Sequence, residues 1–102
     1  MTKTWPGYWG VPLKTLSGDA TVGVRNVAFS PRRLSVRAGA TVRWNFRDPI
    51  RHDVTLAGGP RAFASAYYKG GASYRTKLTT PGEYRIFCSL HPVAMSQTIV
   101  VR

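Results

Sequence analysis

Apolar and polar residues alternate along most of this chain, from about residue 22 onward. In the clearest run, at 41–47, Val42, Trp44 and Phe46 fall on one face and polar residues fall on the other. Shorter runs occupy 34–38, 54–56, 73–78 and 84–88, and a β-branched run lies at 98–101. Turn-forming pairs such as Asp48-Pro49 and Pro81-Gly82 separate the runs. This pattern predicts short strands and an all-β sandwich or barrel.

Two stretches depart from the alternation. We expect a short helical turn in the segment Arg61 to Lys69. Residues 1–20 hold Trp5, Tyr8 and Trp9 among Pro and Gly, and they predict a non-regular aromatic extension ahead of a domain at 21–102. Two roles stay open for this extension: its aromatic side chains pack on the sandwich, or it is a linker or an arm that docks a partner.

Charge adds information about partners. The 102 residues include 15 Lys and Arg against four Asp and Glu, for a formal net charge of +11. Such a chain is attracted to acidic proteins, anionic membranes or nucleic acid. The cations are scattered, with only Arg32 and Arg33 adjacent, which favours a diffuse positive surface over a nucleic-acid-binding tail.

No apolar run approaches the roughly 18 residues of a membrane-spanning helix, so no transmembrane segment is expected. The first residues lack the apolar stretch of a secretory signal peptide.

The candidate chemistry lies in one loop between two predicted strands. Cys88, His91 and Met95 stand within eight residues of each other, and His52 follows the strand that contains Trp44. Each of these residues alone is more often structural, as a buried Cys or a gap-filling Met is. Together they are every His and Cys of the chain and the one methionine besides Met1. Two imidazoles, a thiolate and a weak thioether suit both Cu(II) and Cu(I), whereas structural zinc sites usually have four Cys or His ligands.

Three stretches of the chain resemble the cupredoxins, the family of plastocyanin, amicyanin and pseudoazurin. Residues 29–44 are similar to the family's F-x-P-x-x-L-x-V-x-x-G-x-x-V-x-W. Residues 48–54 resemble the loop of the first copper ligand, and residues 81–95 resemble the strand and loop of the other three. The resemblance covers about residues 22–102 and implies a Greek-key β-sandwich with copper at one end.

The resemblance also implies a function and a ligand set. The expected function is one-electron transfer through one type 1 (blue) copper ion, without enzymatic activity. His52 and His91 match the imidazole ligands, Cys88 the thiolate and Met95 the axial thioether. Asp53 stands where the family commonly has Asn, and the spacing from His91 to Met95 lies between those of amicyanin and plastocyanin.

Partner and location are further expectations from the resemblance and the charge. An acidic redox protein is expected to dock near His91, Pro92 and Val93, because the family passes electrons through the solvent-facing imidazole ligand. The family also implies an extracytoplasmic location, which is periplasmic, secreted or at a membrane surface.

Two other functions remain in view. The chain is alternatively an electron-transfer domain of a larger multicopper enzyme, such as a nitrite reductase or an oxidase. From a different class, a basic β-domain with exposed aromatics can bind single-stranded nucleic acid by phosphate contacts and stacking. No RNP motif is present to supply a stacking platform, so nucleic-acid binding is not expected.

Overall fold

The computed structural model describes residues 11–102, which form two packed β-sheets. Within this range no helix is long and apolar enough to span a membrane. One sheet has five strands in the order β1-β4-β9-β8-β6, and the other has four in the order β3-β2-β5-β7. The strands are β1 Lys14–Thr15, β2 Ala20–Arg25, β3 Ala28–Ser30, β4 Arg33–Val36, β5 Ala40–Phe46, β6 Thr55–Gly58, β7 Ser73–Leu78, β8 Gly82–Phe87 and β9 Ser96–Val101.

The alternating pattern has its physical cause in the two-sheet packing. In β5, Val42, Trp44 and Phe46 are buried between the sheets while Arg43 faces solvent. A strand turns successive side chains to opposite faces, so a strand with one covered face needs this period of two. The prediction of an all-β sandwich is confirmed, and each predicted run is a strand in the structure.

One buried polar pair joins the sheets across the core. The indole N–H of Trp44 donates to the Gln97 Oε1 at 2.9 Å, and the Gln97 amide donates to the Pro31 carbonyl at 2.7 Å. A buried polar group without a partner costs about 1–3 kcal/mol. The pair therefore allows a large aromatic side chain to fill the centre of the sandwich without leaving its N–H unsatisfied.

The chain crosses repeatedly between the sheets, as in a Greek key. Each of the strands β4 to β8 lies in the opposite sheet from the strand before it. Consequently the loop after β5 and the loop after β8 meet at one end of the sandwich, where the Ser89 N–H donates to Asp53. We call this the copper end, because it gathers the predicted ligand segments.

The prediction of a helical turn within Arg61 to Lys69 is wrong. This segment is extended and forms isolated bridges, Ala64 with Thr55 and Tyr68 with His52. Its backbone groups bond to the neighbouring segment rather than to each other, which a search for helical periodicity does not detect.

The predicted boundary between residues 20 and 21 stays a prediction. Trp5, Tyr8 and Trp9 lie outside the described residues. Within the described part of the extension, Lys14–Thr15 pairs with β4 and Leu16 packs against the core.

Candidate metal centre

His52 is held rigidly at the copper end. Its backbone exchanges two hydrogen bonds with Tyr68, each 2.8 Å long. Its side chain is fully buried, six residues beyond the last residue of β5. The backbone bridge fixes where the imidazole starts, and burial restricts how it turns.

The two nitrogens of the His52 ring have different surroundings. Nε2 lies 2.7 Å from the Oδ2 of Asp48, while Nδ1 lies 3.9 Å from the Cys88 Sγ. A neutral imidazole that donates from Nε2 has its lone pair on Nδ1. The carboxylate of Asp48 therefore favours the tautomer in which the nitrogen facing Cys88 is free to bind a metal.

Asp48 was missed as a functional residue in the sequence analysis, although an acid four residues before His52 was visible. Its carboxylate also accepts the backbone N–H groups of Asn26 and Val27, at 2.7 and 2.9 Å. Burial alone would raise the pKa of Asp48, but the hydrogen bonds from Val27, His52 and Asn26 lower it below its ordinary value. Asp48 is thus a buried anion at neutral pH, in contact with the His52 ring.

Cys88 begins a compact loop that hydrogen-bonds to itself. The Cys88 N–H donates to the Met95 carbonyl at 3.0 Å, the His91 N–H to the Cys88 carbonyl at 3.1 Å, and the Met95 N–H to the His91 carbonyl at 2.9 Å. Cys88 and Met95 are fully buried, whereas His91 is partly exposed. Burial raises the pKa of the Cys88 thiol, so its proton leaves readily only when a cation takes its place.

Asp53 ties the two ligand segments together. It is nearly fully buried, and its carboxylate accepts the Ser89 N–H at 2.6 Å, the Ser89 hydroxyl at 2.8 Å and the Thr55 hydroxyl at 2.9 Å. Burial would raise the pKa of Asp53, yet the hydrogen bonds from Ser89 and Thr55 lower it. The carboxylate thus links the two segments that hold the predicted ligands.

The four predicted ligands are brought together in part. The His52 and His91 rings lie edge to face with centroids 5.2 Å apart, and His52 also approaches Cys88. Within residues 11–102, no three His, Cys, Asp or Glu side chains form a closed metal-binding group. His52 thus forms two close pairs, one with His91 and one with Cys88. Two imidazoles, a thiolate and the buried thioether of Met95 are donors that copper binds in both oxidation states.

Apolar side chains are exposed around the copper end. The exposed fractions are 47% for Ile50, 54% for Tyr67, 48% for Leu90 and 75% for Val93. All four residues lie in the segments between β5 and β7 or between β8 and β9. Leu90 and Val93 flank the partly exposed His91 in the chain, and the Tyr67 hydroxyl lies 3.3 Å from the Ser89 hydroxyl in the same loop, so this end presents exposed apolar side chains beside a polar centre.

Comparison with known proteins agrees with this arrangement. The family described as copper binding proteins of the plastocyanin/azurin family matches residues 17–102. The copper-containing nitrite reductase from Thermus scotoductus SA-01 superposes with a TM-score of 0.76 and 32% identity, over 82% of this chain and 22% of the enzyme.

Amicyanin structures are similar over most of their length. A variant in the Cu(I) form superposes with a TM-score of 0.74 and 25% identity, over 82% of both chains. Another variant, in the oxidised state, gives a TM-score of 0.75 and 27% identity over 83% of both chains. The chain thus matches about four-fifths of a small copper protein and about a fifth of a copper enzyme.

Proposed function

The chain belongs to the plastocyanin/azurin family of copper-binding proteins, and we propose that His52, Cys88, His91 and Met95 hold its one type 1 copper ion. The chain itself is an electron-transfer protein that resembles amicyanin. Copper supplies the one-electron Cu(II)/Cu(I) couple when bound. The observation that carries the ligand assignment is the His52 ring, whose Nδ1 faces the Cys88 Sγ while Nε2 contacts Asp48.

The protein's own contribution is to hold these ligands still. Tyr68 fixes the backbone of His52, and Asp48 fixes its ring. Asp53 holds the Cys88 loop against the His52 segment through Ser89. Ligands that keep their positions when the metal changes charge lower the energy needed for electron transfer. Hydrogen bonds to the ligands provide that rigidity.

Electrons are proposed to leave through the edge of the His91 ring. Of the four proposed ligands, His91 is the one that reaches solvent, since the other three are fully buried. Pro92, Val93 and the other exposed apolar residues at the copper end form the proposed docking patch. Redox encounters are small and short-lived, so a few exposed apolar side chains can serve as a docking patch while the surrounding charge steers the approach.

The proposed partner is an acidic redox protein, because the chain carries a formal net charge of +11. We also propose that the protein works outside the cytoplasm, in the periplasm, as a secreted protein or at a membrane surface, as is typical of its family. Cell fractionation with an antibody against the chain tests this location, and recovery with the cytoplasmic markers would contradict it.

A second candidate function follows from the nitrite reductase match. The chain spans about a fifth of that enzyme, so it is alternatively the electron-transfer domain of a larger copper enzyme. Both His residues of the chain are assigned to the proposed electron-transfer site. The histidine ligands of a separate catalytic copper would therefore come from the rest of the larger enzyme. The purified chain with a reduced electron donor and nitrite is expected to consume no nitrite.

The ligand assignment is tested by the visible spectrum. Adding one equivalent of Cu(II) should produce an intense blue or green colour, from thiolate-to-copper charge transfer. Cys88→Ser should abolish that band while far-UV circular dichroism stays as in the original protein. If the Cys88→Ser variant keeps the colour, the assignment is wrong.

A further inference from the structure

The outward face of the four-stranded sheet concentrates positive charge. Five exposed cations lie there: Arg25 on β2, Arg43 on β5, Arg47 just after β5, and Arg75 and Lys77 on β7. We call these five residues the basic face. None of the strands β2, β3, β5 and β7 contains an Asp or Glu.

The acidic residues of the chain do not neutralise this face. Asp48 and Asp53 are buried at the copper end and Glu83 is in the other sheet, so Asp19, which accepts the Thr41 N–H at 2.9 Å, is the one exposed acid beside the five cations of this face. None of the five cations of the basic face has an ion-pair partner among residues 11–102. The charge is therefore available to an external anion.

The register between β5 and β7 places cations of the basic face close together, and this placement does not stabilise the fold. Arg43 pairs directly with Arg75 across β5 and β7, and Thr41 pairs with Lys77 in the adjacent outward position. Like charges directly opposite each other on a sheet are destabilising. An anion bound between the two guanidinium groups offsets that repulsion. Anion binding therefore accounts for the arginine pair, whereas strand pairing alone does not.

Two depressions on this face have the right chemistry for phosphate. One, of about 320 Å³, is lined by Gly23, Arg25, Ser30 and Arg47. The other, of about 220 Å³, shares Arg47 and adds Arg43, Asn45 and Ser73 among its lining residues. Guanidinium groups beside hydroxyl and amide donors bind phosphate oxygens well.

The face lacks what a protein partner needs. The exposed large apolar side chains of residues 11–102 are Leu13, Ile50, Tyr67, Leu90 and Val93, and none of them lies in a strand of this sheet. Protein interfaces have an apolar or aromatic centre, whereas a bilayer rich in anionic lipid attracts clustered Lys and Arg by charge alone. We propose that the basic face binds the headgroup phosphates of an anionic phospholipid bilayer.

This orientation is compatible with electron transfer. The basic face lies on the outward side of the four-stranded sheet and reaches the copper end at Arg47, whereas His91 lies in the loop after β8, a strand of the other sheet. A protein lying with its basic face on the membrane keeps the surroundings of His91 accessible from the side. A redox partner moving along the same surface thus reaches the proposed exit route.

Vesicle binding tests the proposal. We expect the protein to cosediment with vesicles of phosphatidylglycerol mixed with phosphatidylcholine, and not with pure phosphatidylcholine. The variant R25Q/R43Q/R75Q should lose about a hundredfold in partitioning, because each basic residue near an anionic surface contributes about fivefold. The control K14Q/R37Q/R85Q removes the same number of charges from exposed positions in or beside the other sheet and should bind almost as the original protein does.

The outcomes separate this proposal from its competitors. Equal losses in the two triple variants would mean that net charge alone drives binding, and would overturn it. Tighter binding of a single-stranded oligonucleotide than of the anionic vesicles, lost in R25Q/R43Q/R75Q, would instead assign the face to nucleic acid. The Cys88→Ser protein should bind vesicles normally, so failure of the copper assignment and failure of this proposal are distinguishable.

Discussion

The carboxylate of Asp48 lies 2.7 Å from the Nε2 of His52 and connects that ring to the turn between β2 and β3. Asn26 and Val27, whose N–H groups it also accepts, have positive φ angles of 54° and 52°. Such angles are uncommon for residues other than glycine and need support from their surroundings. One buried side chain therefore stabilises an unfavourable turn and orients a proposed copper ligand.

Asp48→Asn should raise the reduction potential and weaken Cu(II) binding. The carboxylate favours the more positive oxidation state, and the loss of a group behind a metal ligand typically costs 10–100-fold in affinity. We expect a shift of about tenfold in the Cu(II)/Cu(I) equilibrium, which is about 59 mV for one electron. Voltammetry and Cu(II) titration measure the two effects.

The matched control is Asp19→Asn, which removes the same charge from an exposed carboxylate that also accepts a backbone N–H. It should leave the potential nearly unchanged. Equal potentials for the two variants would show that Asp48 serves the turn only.

Asp53→Asn should raise the potential and lower the thermal stability. The substitution removes a second buried negative charge near the site, and the amide nitrogen cannot accept the Ser89 and Thr55 bonds that one carboxylate oxygen now receives. An alternative view of Asp53, as an exposed acid paired with Arg51, predicts no shift; the buried carboxylate does not fit that view.

Ser89→Ala separates charge from hydrogen bonding at the same place. It deletes the hydroxyl bond and keeps the Asp53 charge, so it should lower the midpoint of thermal unfolding with a smaller change in potential. A larger potential shift in Ser89→Ala than in Asp53→Asn would contradict a charge effect of Asp53.

Met95→Leu should keep the colour and raise the potential. Met95 is fully buried, and its backbone closes the ligand loop through bonds that do not involve the side chain. Leu is similar in volume, so the loop should remain folded, while the weak thioether donor that helps Cu(II) is lost. A potential that is unchanged or lower would mean that Met95 is not the axial ligand.

Electron transfer to an acidic redox protein should be faster than to a basic one, and it should slow as salt rises past about 0.1 M, where the Debye length is about 10 Å. Stopped-flow absorbance at the copper band measures both rates. Equal rates for the two partners, independent of salt, would refute electrostatic steering.

Val93→Glu should slow transfer to the acidic partner severalfold more than Ala38→Glu does. Val93 lies in the proposed docking patch, whereas Ala38 is exposed in the turn between β4 and β5, where its N–H donates to the Arg102 carbonyl at the other end of the sandwich. The two variants add the same charge, so a similar effect of both would mean that docking does not use Val93.

Much of the fold was predictable because its cause is local. Burial of one side of each strand imposes a period of two, and Val42, Trp44 and Phe46 display it without interruption. The ligand candidates were visible for another reason, which is that the chain has few His, Cys and Met residues.

Other features depend on contacts between distant segments, which a single sequence does not display. The bonds from Asn26 and Val27 to Asp48 join residues 21 or 22 positions apart. The basic face likewise exists only because β5 lies between β2 and β7, which brings scattered arginines to one surface. For the same reason the extended conformation of residues 61–69 escaped prediction, since their partners are residues 52–55.

The hydrogen bonds within the Cys88 to Met95 loop have an evolutionary consequence. Phe87 and Ser96, just outside the loop, remain paired in β8 and β9, so the scaffold ends where the loop begins. We therefore expect insertions or deletions between His91 and Met95 to alter the exposed residues 92–94 and the bond from the Met95 N–H to the His91 carbonyl, while the sheets stay intact. Selection can then adjust the electron affinity of the centre in one short, exchangeable segment while the sandwich is inherited unchanged.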